Sequence, residues 1–286
     1  MRDRAPPGPA PRRGRAASLI AAVALTGCEA VRPQQPAAAT TAQRDCIMMT
    51  VVYDNNPGRE GLRTAWGFAC IVAGPEKTIL FDTGGDGPTL LANMKALGVD
   101  PAALDAVVLS HPHGDHTGGL VGLLEARPPL QVIAPTGCPA ALREEAARAG
   151  GRWVEAAESV EICPGARTTG TLGRDAIPEH ALCVRTGEGW VLITGCAHPG
   201  VANLAAAGAE LVGGRLHAAL GGFHMRDYAA DQVSQAIGRL RELGVTRVAP
   251  CHCTGDPARE IFKREFGDAC ELIGVGAVLD FPPPGK

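Results

Sequence analysis

Ser110-His111-Pro112-His113-Gly114-Asp115-His116-Thr117-Gly118-Gly119 follows directly on the apolar run Leu104-Asp105-Ala106-Val107-Val108-Leu109. Three imidazoles and one carboxylate therefore fall within six residues, at the end of a predicted strand. Imidazole nitrogen and carboxylate oxygen suit zinc and similar divalent ions. Gly114, Gly118 and Gly119 give the backbone the freedom to turn alternate side chains toward one point. The stretch reads as a metal site on a strand-to-helix loop.

Working outward, short apolar runs bounded by glycine or proline predict strands at 47–53, 66–73, 77–81, 105–110, 130–134, 181–185, 190–194, 216–220, 246–250 and 276–281. Helical periodicity appears between them at 87–97, 120–125, 139–149, 200–207, 231–243 and 256–266. Strands alternating with helices predict a layered α/β domain. The other chemistry-bearing residues, Asp82, Cys196, His198, His224 and His252, also stand just after predicted strands. Loops at strand ends can converge above a sheet edge, so these side chains are candidates for one site.

The H-x-H-x-D-H pattern at 111–116 resembles the signature of the metallo-beta-lactamase fold superfamily, and Thr78-Ile79-Leu80-Phe81-Asp82-Thr83-Gly84-Gly85 is similar to its strand ending in a buried aspartate. Gly195-Cys196-Ala197-His198, Gly221-Gly222-Phe223-His224 and Pro250-Cys251-His252-Cys253-Thr254-Gly255 resemble a subgroup named after a dihydropterin ribofuranosyl-aminobenzene phosphate synthase. Together these segments cover roughly residues 47 to 282. The resemblance implies a four-layer alpha-beta-beta-alpha sandwich holding two divalent metal ions, zinc above all. It also implies ligand roles: His111, His113 and His198 for the first ion, and Asp115, His116 and His252 for the second. His180 is a rival third ligand of the first ion. Cys196 stands where the wider superfamily carries a bridging aspartate, and is either a thiolate ligand or a packing residue beside the site. Asp82 is expected to hydrogen-bond a ligand imidazole. His224 is expected to contact substrate or protonate a leaving group, and Asp115 to serve catalysis as well as binding. Di-iron relatives carry glutamate where this chain has Gly114, which disfavours a redox iron pair.

The first residues carry a different message. Residues 1–15 hold five arginines against one acid, and Ala16–Leu25 is apolar apart from Ser18 and leads into Leu25-Thr26-Gly27-Cys28. This reads as a signal peptide over 1–27. Ten helical residues rise only about 15 Å, half a bilayer core, so the stretch is too short to span. Leu-Thr-Gly-Cys resembles the bacterial lipobox, implying a lipid anchor on Cys28, and Arg12-Arg13 leaves twin-arginine export open beside the general route. Residues 28–45, rich in Pro, Gln, Ala and Thr, read as a flexible tether, and 46–286 as the folded domain. The expected location is the periplasm or cell exterior.

Without residues 1–27 the chain keeps 22 basic and 29 acidic side chains, a net charge of −7 with neutral histidines. Nucleic acid and anionic lipid surfaces call for clustered Lys and Arg, so a small-molecule substrate is expected, with membrane contact through the anchor alone. If Cys28 is acylated and Cys196, Cys251 and Cys253 sit at the metal site, Cys46, Cys70, Cys138, Cys163, Cys183 and Cys270 remain, either buried thiols or disulfides of undetermined pairing. The expected function is metal-dependent hydrolysis of an ester, lactone, amide or phosphoester by activated water. The alternatives are the synthase activity of the subgroup and a non-catalytic, metal-holding lipoprotein.

Overall fold

A computed structural model describes residues 46–285 apart from 75 and 174. The expected signal peptide, Cys28 and the expected tether lie outside the described residues. The first half of the domain runs β1 (Ile47–Asp54), β2 (Phe68–Ala73), β3 (Ile79–Phe81), α1 (Gly87–Ala96), β4 (Ala106–Val108), α2 (Gly114–Thr117), α3 (Leu120–Ala126), β5 (Leu130–Ala134), α4 (Ala140–Arg148) and β6 (Gly151–Glu155). The second half runs β7 (Glu161–Cys163), β8 (Ala166–Thr168), β9 (Leu182–Thr186), β10 (Gly189–Thr194), α5 (Val201–Leu211), β11 (Leu216–Gly222), α6 (Ala230–Glu242), β12 (Arg247–Cys251), α7 (Asp256–Phe266) and β13 (Val278–Phe281).

Two sheets result, one ordered β13-β1-β2-β3-β4-β5-β6 and the other β12-β11-β10-β9-β8-β7. β3 to β6 pair in parallel, as do β10 to β12. Helices make the crossovers between successive parallel strands in β4–β5, β5–β6, β10–β11 and β11–β12.

Alternation along the strands sorts the side chains into layers. In β10, Val191 and Ile193 face the other sheet while Leu192 faces the helices; in β4, Ala106 and Val108 face inward and Val107 outward. The layer between the sheets joins Met49, Phe68, Phe81 and Val108 to Leu182, Val184, Ile193 and Leu220. Outside the first sheet, Leu90 and Met94 of α1 and Leu120, Leu123 and Leu124 of α3 cover Leu80, Val107 and Val132. Outside the second, Leu204 of α5, Val233 and Ile237 of α6 and Phe262 of α7 cover Leu192, Ala219 and Val248. This is the expected four-layer α/β/β/α sandwich. Each fully buried Leu, Ile or Phe contributes about 1.5–3 kcal/mol of burial.

Three strands escape the sequence reading altogether. β6 is a half-exposed edge strand whose Arg152 and Glu155 break the apolar signal, and β7 and β8 form a hairpin of three residues each, below the length at which alternation shows. The predicted strand at 66–73 begins only at Phe68, because Gly67 adopts φ 140° and leaves Trp66 outside the sheet. α5 runs four residues further than expected, to Leu211.

Candidate metal centre

Loops after β3, β4, β10, β11 and β12 meet at one edge of the sandwich. The loop after β4 closes into the single turn α2, where the His116 and Thr117 amides donate to the His113 carbonyl (3.0 and 3.1 Å). That turn presents His113, Asp115 and His116 together. Asp82, at the end of β3, is fully buried. Its Oδ1 accepts the Ser110 amide (2.6 Å), and its Oδ2 accepts the Ser110 hydroxyl and lies 2.7 Å from His116 Nδ1. With Nδ1 so engaged, His116 offers Nε2 as a free donor. Burial pulls the His116 pKa down, but the Asp82 charge and hydrogen bond outweigh it and leave it raised.

Four side chains from three loops converge. Cys196 Sγ lies 3.2 Å from His116 Nε2 and 3.4 Å from His252 Nε2. The two Nε2 atoms are 3.2 Å apart, and Asp115 Oδ2 is 3.6 Å from the first and 3.3 Å from the second. His252 Nδ1 is fixed by Asn55 Oδ1 at 2.8 Å. Beside this group, His111 falls within reach of His113 and Asp115, and also of Cys196 and His198. Burial first, then the surrounding imidazoles His116, His198 and His113, hold His111 well below the usual histidine range, so it is neutral.

The loop Gly195–His198 is pinned from below by Glu179, a fully buried carboxylate. It accepts the amides of Cys196 (3.0 Å), Ala197 (2.7 Å) and His198 (2.7 Å), and its Oε2 lies 2.8 Å from His198 Nδ1. Burial alone would raise its pKa, but the His198 ring and these amides hold it low. A Cβ on Gly195 would overlap Ser110 Oγ, so only glycine lets this loop press against Ser110. Asp82, Ala197, His224 and His252 adopt φ of 59°, 63°, 52° and 49°, the only non-glycine residues with positive φ among those described, and all lie at the site. Such conformations persist where surrounding structure over-determines them.

The model of the metallo-beta-lactamase superfamily matches residues 67–252. The chain belongs to the metallo-beta-lactamase superfamily. It is similar to the 7,8-dihydropterin-6-methyl-4-(beta-D-ribofuranosyl)-aminobenzene-5'-phosphate synthase of Methanocaldococcus jannaschii, 29% identical over 73% of this chain and 86% of that one. A crystal structure of a metal-dependent hydrolase of the beta-lactamase superfamily matches with TM-score 0.69 and 28% identity, covering 82% of this chain and 99% of that one. The metallo-beta-lactamase fold protein YhfI from Bacillus subtilis shares the fold at TM-score 0.59 and 13% identity, over 82% and 99%.

Superfamily members bind divalent metals, and the residues of this metallo-beta-lactamase domain fit such ions. His111 Nε2 is buried without a hydrogen-bond partner. Asp115, His116, Cys196 and His252 bring one oxygen, two nitrogens and one sulfur within 4.8 Å of one another. This mixed set suits zinc better than a hard ion. The adjacent Cys253 side chain first, then burial, push the Cys196 thiol up.

His224 lies with Cys196 and Cys253 in a further group of potential donors, its ring 4.5 Å from His198. His180 joins none of these groups; it is fully buried, with neither ring nitrogen hydrogen-bonded among the described residues. Cys251 is not at the centre, as its sequence neighbours suggested, but packs between the sheets, because the alternation of β12 turns it inward. His217 lies apart, its Nε2 3.1 Å from Glu188. The nine described cysteines are free thiols. Glu179 and Asn55 escape the sequence reading. Neither lies in a ligand motif, and adjacency of Glu179 to His180 is the only signal that could have drawn attention to it.

Proposed function

We propose that this chain is a metal-dependent hydrolase that binds two divalent ions, zinc by the chemistry of its donors, and cleaves an ester, lactone, amide or phosphoester. The observation that carries this reading is the convergence of Asp115, His116, Cys196 and His252 within 4.8 Å of one another, with His116 Nε2 and His252 Nε2 at 3.2–3.6 Å from each other, from Cys196 Sγ and from Asp115 Oδ2. His111, His113 and His198 would hold one ion; Asp115, His116 and His252 the other, with Cys196 within reach of both groups. When bound, such ions make hydroxide available near neutral pH and polarise the electrophile.

The chain's own residues prepare that chemistry. Asp82, Glu179 and Asn55 engage His116, His198 and His252 at their Nδ1 atoms, which reserves each Nε2 for an ion. Asp115 can accept a hydrogen bond from the attacking water and orient it. His224 is exposed at the edge of the centre, placed to donate a proton to a leaving group.

Elemental analysis of the purified protein, with a chelator-controlled panel of phosphodiester, phosphomonoester, lactone and cephalosporin reporters, tests the reading. His116→Ala should lose metal and activity together; a metal-free variant with full activity overturns it. A synthase-like activity is the second reading, supported by the Methanocaldococcus jannaschii relative. We also propose that residues 1–27 are cleaved and Cys28 is lipidated, which mass spectrometry of the mature N-terminus would show.

A further inference from the structure

Beside the metal centre lies a cavity of about 260 Å³ lined by Trp66, His224, Arg226, Asp227, Tyr228 and Cys253. That is room for a substituted ring system. The cavity opens onto the chemistry directly: His224 and Cys253 group with Cys196, and the Trp66 ring centroid is 4.8 Å from that of His252.

Its wall has two unusual properties. Trp66 and Tyr228 are 46% and 45% exposed, two of only four large hydrophobic side chains so exposed among the described residues. Large apolar groups left in water at a cavity beside a reactive centre mark a binding surface. The second property is the Arg226 guanidinium, whose carbon sits 4.4 Å from the Trp66 ring centroid. None of the ion pairs among the described residues involves Arg226, although Asp227 follows it in the chain. A Cβ on Gly255, at φ 79°, would come within 2.7 Å of Arg226 Cα and 3.0 Å of its Cβ. Glycine at the end of the His252–Gly255 segment thus lets the loop after β11 close onto the loop after β12. A guanidinium lying over an aromatic ring with no carboxylate partner has its fork of donors available for an oxyanion from outside.

We propose that this cavity binds a small planar, aromatic substrate carrying a phosphate or carboxylate. Its ring packs in the wall formed by Trp66 and Tyr228, and its anion pairs with Arg226. This rests on the hydrolase reading for the cleaved bond, but not for the binding itself.

Calorimetric titration of the zinc-loaded full chain with phenylphosphonate, methylphosphonate, benzoate, acetate and benzyl alcohol tests it. Phenylphosphonate or benzoate should bind at least tenfold tighter than its alkyl counterpart and than benzyl alcohol, and whichever aryl anion wins identifies the anionic group. Arg226→Gln should abolish the advantage of the anion over benzyl alcohol, while Arg226→Lys keeps part of it. Trp66→Leu or Tyr228→Leu should abolish the advantage of aryl over alkyl. All four variants should keep wild-type zinc content and thermal midpoint. Equal binding of aryl and alkyl anions, or Arg226→Gln binding like wild type, overturns the proposal. An intact aryl-anion preference without turnover on any reporter would instead remove the hydrolase reading and leave the pocket assignment standing.

Discussion

Glu179 shows how much of the centre depends on one side chain that touches no substrate. Its two oxygens take three backbone amides and one imidazole in a site with no solvent access. Hydrogen bonds to a charged group contribute about 1.5–3 kcal/mol each, and stranding their buried donors costs more than the bonds give. Glu179→Ala should therefore lower unfolding stability by about 3 kcal/mol or more in denaturant titration, with loss of metal by elemental analysis because His198 is released. His180, next in the chain, makes a different prediction. Burial brings its pKa from 6.5 down to about 4, so the folded state refuses a proton that the unfolded state accepts. Its contribution is complete above pH 6.5 and is lost as pH falls toward 4, an effect of about 3 kcal/mol. Replacing it by leucine should flatten that part of the pH–stability curve relative to wild type; parallel curves would exclude His180 as a source of acid sensitivity.

At the scale of elements, the site is made by the segments that follow strand ends, the single turn α2 among them, rather than by the long helices. Short loops leaving β3, β10, β11 and β12 allow little freedom, and the left-handed residues Asp82, Ala197, His224 and His252 mark where each turns sharply. Helix α1 anchors the neighbouring face. Asp86 caps it, Oδ1 accepting the Thr89 amide at 2.7 Å, and Oδ2 accepts the Tyr53 hydroxyl at 2.8 Å, which ties the helix to β1. Asp86→Ala should cost about 1 kcal/mol for the cap, and Tyr53→Phe less than that, both measured by the denaturation midpoint at constant slope. Periodicity revealed α1, α3, α5, α6 and α7 in the sequence because each buries a stripe against a sheet, and α4, which buries Ala146, as well. It missed β6 to β8 because an edge strand and a three-residue hairpin bury too little to pattern the chain.

For the molecule as a whole, the centre bridges the two sheets: His111, His113, Asp115 and His116 hang from the first, Cys196, His198 and His252 from the second. An ion held by both sheets binds the folded state and not the unfolded one, so it stabilises by mass action. Zinc at 100 times its Kd should raise stability by about 2.7 kcal/mol per site over the chelated protein. Thermal unfolding with and without chelator measures this, and His116→Ala should blunt the response; an equal midpoint in both conditions would show that the ion does not clamp the sheets.

The hexapeptide at 111–116 and the alternation of the flanking strands were enough to read the layered fold and most donors from the chain. Ligand spacing and burial period are local properties, written within a few residues. Tertiary structure decided what depends on distance across the chain. It placed Cys196 against His116, 80 residues away, and the Glu179 carboxylate under the loop that carries His198. It also turned Cys251 into the core and set Arg226 over Trp66. Only when the two sheets close face to face do side chains from separate strands meet, and no local pattern encodes which will touch.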